Sequence, residues 1–239
     1  MEYEVRVKKE LAAWEKKILC RTGILEQMSR GMQKKIDSFI PPKIHKTISK
    51  TMEVTIKSIL AGINLIPVDE KKLRIAQNLS LAEVDCEVDK IIKNYKKVAA
   101  ATGAGTGWGG LLGLAVDYPA LISLELKMLQ EIALAHGYDI NLKPERTYLL
   151  KVFILAFSAD SCRKRTYLEL LNFQNQREID WQQLYHEYKE RVEFKKMLQI
   201  IPGFGAVVGA WANYGLITEL GETARNAYRL RYFKRQELR

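Results

Sequence analysis

An all-α multi-helix bundle is the fold class this sequence predicts, on three observations. Apolar residues recur at spacings of three and four, helix start and stop signals stand at the edges of those stretches, and no stretch alternates apolar with polar residues at period two. With 47% hydrophobic residues in 239, the chain has ample material for a core. No Ser/Pro/Gly-rich linker divides it, so residues 1–239 read as a single domain.

The elements follow in order. Val7, Leu11, Trp14 and Ile18 line one helix face; Leu25, Met28, Met32 and Ile36 line a second; Ile44, Ile48, Met52, Ile56, Ile59 and Ile63 line a third. Gly23 separates the first two, "IPP" at 40–42 supplies a proline suited to the first turn of the third, and Pro67 follows it. Ser80 with Glu83 forms a capping box before Leu81, Val84, Val88, Ile92 and Tyr95, predicting a helix from about residue 80 that ends near Ala101, where glycines begin. After Pro119 a new stripe runs through Leu121, Leu124, Met128, Ile132 and Ala135 and closes at Gly137. Pro144 opens a helix whose "YLLKVFILAF" at 148–157 is apolar on nearly every side and therefore central. Asp180 can cap a further helix bearing Trp181, Leu184, Tyr188 and Val192.

The two glycine-rich blocks align at a constant offset. "GWGGLLGLAVDY" at 107–118 matches "GFGAVVGAWANY" at 203–214, pairing Gly107 with Gly203, Trp108 with Phe204, Gly109 with Gly205, Gly113 with Gly209, Asp117 with Asn213 and Tyr118 with Tyr214. Pro119 follows the first block. The agreement predicts an internal repeat of two glycine-rich helical hairpins whose helices touch or sit at equivalent places. Glycine at every third or fourth position flattens a helix face so that another backbone can approach. Each one costs about 1 kcal/mol in an exposed helix interior, which close packing or a lipid environment must offset. "GTGWGG" at 105–110 fits a bare G-x-G-x-x-G, but it follows a helix and lacks the Lys-Ser/Thr end of a phosphate loop, so no nucleotide or other cofactor is expected.

Asp117 is a carboxylate inside an apolar run. Its match is Asn213, which cannot titrate, so a structural hydrogen bond explains the position better than proton chemistry. His45, His136 and His186 are scattered without metal-ligand spacing, and no nucleophile–base grouping is recognisable, so neither a metal site nor a catalytic residue is expected. Cys20, Cys86 and Cys162 are the only cysteines and show no CxxC spacing, and "MEYEVRVKKELAAWEKK" lacks the apolar core of a secretory signal. Both point to the cytoplasm or the cytoplasmic face of the membrane.

The formal charge of +10 favours an anionic partner. Cations concentrate at Arg163, Lys164 and Arg165, and at Arg225, Arg229, Arg231, Lys234 and Arg235, the latter set interleaved with Tyr228, Tyr232 and Phe233. Cations mixed with aromatic rings suit an anionic membrane surface. A nucleic-acid binder is the weaker reading, because no recognition motif accompanies the charge. The other alternative is a soluble enzyme or small-ligand protein with a pocket between the hairpins near Asp117 and Asn213.

"TGAGTGWGGLLGLAVDYPALISLELKMLQEIALAHGYD" at 102–139 resembles the signature of the EcsC family of bacterial proteins, and "LQIIPGFGAVVGAWANYGLITELGETARNAYRLRYF" at 198–233 resembles its C-terminal block. Trp14 and "FIPPKI" before a long helix extend the likeness over nearly the whole chain. The departure is His136, where the family pattern leads one to expect Tyr. The resemblance implies an accessory role linked to an ABC transporter or secretion system, through the gene neighbourhood for which the family is named. It implies no substrate.

Overall fold

The computed structural model describes residues 2–19, 42–63, 65–107, 110–158, 160–173 and 205–237. Their regular elements are all helical: α1 (Glu2–Leu19), α2 (Pro42–Leu60), α3 (Glu70–Ala76), α4 (Leu81–Gly107), α5 (Gly110–Ala135), α6 (Lys143–Phe157), α7 (Asp160–Leu171) and α8 (Gly205–Glu237). The expected helices around Leu25–Ile36 and after Asp180 lie outside the described residues, as do Trp108, Gly109, Gly203 and Phe204.

Several local signals act as the sequence predicts. The Ser80 amide donates to Glu83 Oε2 at 2.8 Å while the Glu83 amide returns to Ser80 Oγ at 3.4 Å, closing the capping box that starts α4. At the end of α5, Gly137 has φ +77°, its amide donates to the Leu134 carbonyl and the Tyr138 amide to Ala133, the paired bonds of a left-handed helix stop. The central helix α6 begins with Pro144 in its first turn, and Tyr148, Leu149, Leu150, Val152, Phe153, Leu155 and Phe157 are all buried.

Two boundaries differ from expectation. Helix α4 does not stop at Ala101 but continues through Gly103 and Gly105 to Gly107. Helix α5 does not begin after Pro119; it carries Pro119 inside it. A proline in a helix interior costs about 3 kcal/mol, and here the fully buried Tyr118, Leu121 and Ile122 on either side hold the helix together. Two helices carry no strong sequence signal: the short α3, capped by Asp69 Oδ1 accepting from the Lys71 and Lys72 amides, and α7.

The most extensive packing among the described helices is between α4 and α8. They run antiparallel: Gly103 lies against Gly209, Lys96 over the Tyr214 ring, Ile92 against Gly221, Asp89 beside Arg225 and Asp85 beside Arg229. A core of Val84, Val88, Ile132, Leu149, Phe153, Leu216, Leu220 and Tyr228 fills the space between α4, α5, α6 and α8. Helix α1 closes a second, smaller cluster, in which Val7 and Leu11 meet Leu81 and Phe233.

Candidate functional site

The glycine-rich blocks meet at the end of the molecule where α4 terminates and α8 begins. A β-carbon added to Gly103 would collide with the Gly209 carbonyl and stand 2.7 Å from Asn213 Nδ2, so the two backbones touch at this crossing. Asn213 Nδ2 donates to Asp117 Oδ1 at 3.0 Å, joining α8 to α5 between residues 96 positions apart. Both side chains are fully buried. Each side chain is used to join helices and has no exposed surface of its own.

Asp117→Asn is expected to change unfolding free energy by less than about 1 kcal/mol, because an amide oxygen accepts from Asn213 as a carboxylate oxygen does; Asp117→Leu should cost about 1–3 kcal/mol by removing a buried hydrogen bond between helices. Urea denaturation of the two variants measures both.

Around this buried pair the surface is apolar. Val207 is 72% exposed, Trp211 61% and Tyr214 45%, and their spacing of four and three aligns them on one face of α8. The register that sets Gly103 against Gly209 brings Val98, Ala101 and Gly105 of α4 level with them, and all three are exposed. Lys93 and Lys97 are exposed on the next turns, and Lys96 Nζ sits 4.5 Å from the Tyr214 ring centroid. Of the residues the sequence singled out here, Tyr118 and Gly209 are buried, Pro119 is half-buried and Tyr214 is at the surface; Gly107, Gly113 and Gly205 belong to α4, α5 and α8. Trp211, Val207 and Val98 escape the sequence reading. The available signal was Trp211 and Val207 standing off the glycine stripe of the second block.

The basic residues expected on an anionic surface divide sharply. Arg163 is buried and its Nη2 donates to the Ser158 carbonyl at 2.8 Å. Arg229, 4% exposed, donates Nε to both oxygens of Asp85 at 3.0 and 3.1 Å and Nη1 to Glu10 at 3.0 Å. Arg231 grips the Glu145 carboxylate with both terminal nitrogens and lies 3.9 Å from the Tyr138 ring centroid and 4.5 Å from that of Tyr148. Arg225 pairs with Asp89 at 2.8 Å, and Lys234 donates to the Leu171 carbonyl at 2.7 Å. These partners draw the cations inward or tie them down. Lys164, Arg165 and Arg235 remain exposed. His136 stacks on Tyr228 at 5.1 Å, and burial pushes its imidazole down to about 4, so it is neutral near pH 7 and acts as an aromatic plate.

The family model of the EcsC protein family matches residues 5–233. Over 226 residues the chain is 36% identical to Protein EcsC of Bacillus subtilis (strain 168), covering 94% of each chain. Over 247 residues it is 30% identical to Uncharacterized protein YdbA of the same organism, covering 93% of this chain and 90% of that one. No solved structure matches. The match runs through both glycine-rich blocks and the helices that cross at Gly103 and Gly209, and on that ground the chain belongs to the EcsC protein family.

Proposed function

We propose that this chain is a non-enzymatic accessory protein held at the cytoplasmic face of a membrane by the glycine-crossing end of the bundle. The observation that carries the reading is the exposed stripe of Val207, Trp211 and Tyr214 with Val98 beside it. An apolar patch that includes tryptophan and tyrosine, rimmed by Lys93, Lys96 and Lys97, has the composition of a surface that seats in the headgroup region. No described helix is long and apolar enough to cross a membrane, so the mode proposed is shallow seating rather than spanning. The two glycine-rich blocks act in this reading as repeated hairpins, and the Asp117–Asn213 bond between matching positions supports that view. The ABC transporter or secretion system implied by the family resemblance is the proposed membrane partner.

Co-sedimentation with vesicles tests the reading. Three lysines at about 1 kcal/mol each predict roughly a hundredfold preference for phosphatidylglycerol over phosphatidylcholine vesicles at low salt. Val207→Asp with Trp211→Asp should weaken binding at least tenfold to both, while leaving the helical circular dichroism spectrum unchanged. A folded wild-type protein that sediments with neither vesicle sinks the proposal.

A further inference from the structure

At the other end of α8, about 27 Å along the helix from Asn213 to Arg231 at 1.5 Å per residue, lies an open cleft of about 710 Å³. We propose that this cleft binds a single-chain amphiphile with an anionic head group, a site independent of the membrane reading above. Its volume falls in the range of small-molecule sites. The walls are Leu170 from the end of α7 and Phe173 just beyond it, Leu230 and Phe233 from α8, and the rings of Tyr138 and Tyr148. Such walls call for a hydrocarbon body.

The charges at the rim select the head. Arg231 is already held by Glu145 and sandwiched by Tyr138 and Tyr148, so it stiffens the aromatic wall rather than offering a free cation. Each ring already has a cation over one face, which leaves less of it for a quaternary ammonium. Lys234 gives one proton to the Leu171 carbonyl and keeps two for a ligand, and Arg235 is exposed beside it. Glu237 is the only acid among the described residues that line the cleft. Two cations against one carboxylate favour an anion, and a guanidinium and an ammonium together suit a phosphate or carboxylate head.

Calorimetric titration with dodecyl phosphate below its micelle concentration is the test, with dodecyl maltoside and dodecyltrimethylammonium as probes of the same chain and a different head. The expected result is saturable one-site binding of dodecyl phosphate, at least tenfold tighter than either of the others. Lys234→Gln with Arg235→Gln should remove that preference, whereas Trp211→Asp should leave it intact. A second arm presents palmitoyl lysophosphatidate within vesicles: transfer from the bilayer identifies a lipid source, and binding confined to free dodecyl phosphate identifies a soluble amphiphile. Absence of saturable binding by the folded wild type, or equal affinity for the phosphate and the ammonium, overturns the proposal without recourse to any variant.

Discussion

Gly103→Ala should destabilise the protein by about 3 kcal/mol, and Gly105→Ala, two residues further along the same helix, should stabilise it by about 0.5–1 kcal/mol. The first methyl has to enter space held by the Gly209 backbone, and a carbonyl within a helix cannot rotate aside as a flexible side chain would. Relief comes only by parting α4 from α8, which is the most extensive helix pairing described. The second methyl meets nothing within 4 Å and recovers the helix propensity that glycine lacks. Chemical denaturation of the two variants reads the sign directly. Two losses of similar size would mean that general helix geometry, not the crossing, fixes the glycine at 103.

Arg229→Ala should cost about 3–5 kcal/mol, because it leaves Asp85, 2% exposed, without its cation. The same substitution releases Glu10, one of the polar ties of α1, alongside the Tyr3 hydroxyl on Asp85 at 2.7 Å and Glu4 accepting from the Tyr232 hydroxyl at 3.0 Å. Replacing the whole buried pair, Asp85→Leu with Arg229→Met, should recover most of the loss, since two apolar side chains need no partner in the interior. Thermal melts of the single and double variants check both halves. A double variant no more stable than Arg229→Ala would show that the pair contributes more than charge compensation.

What could be read in the sequence depended on how local its cause is. The capping box at Ser80, the helix stop at Gly137 and the all-round burial of 148–157 are each set within a few residues, and each forms as expected. The course of α4 through Gly103 was hidden because its compensation comes from Gly209, more than a hundred positions away. Pro119 misled for the same reason: the buried neighbours that hold α5 together are a tertiary effect. Arg229 and Arg231 read as surface cations because nothing beside them announces Asp85 or Glu145, partners 144 and 86 positions distant. Asp117 and Asn213 are the exception. Both stand out in the sequence as polar residues inside apolar runs, and they bond to each other across 96 positions.

The pairing of α4 with α8 also dictates an order of events during synthesis. Helix α4 emerges early, with Val84, Val88, Ile91 and Ile92 ready to be covered, but much of their cover is supplied by α8, the last described helix to be translated. At about 5–20 residues per second, the interval between completing the two helices is on the order of ten seconds. Helix α1 waits longer still, because Phe233 and Arg229 lie on that same helix. The nascent chain must therefore carry these apolar faces uncovered until α8 has been made, and the native bundle closes only as α8 clears the ribosome.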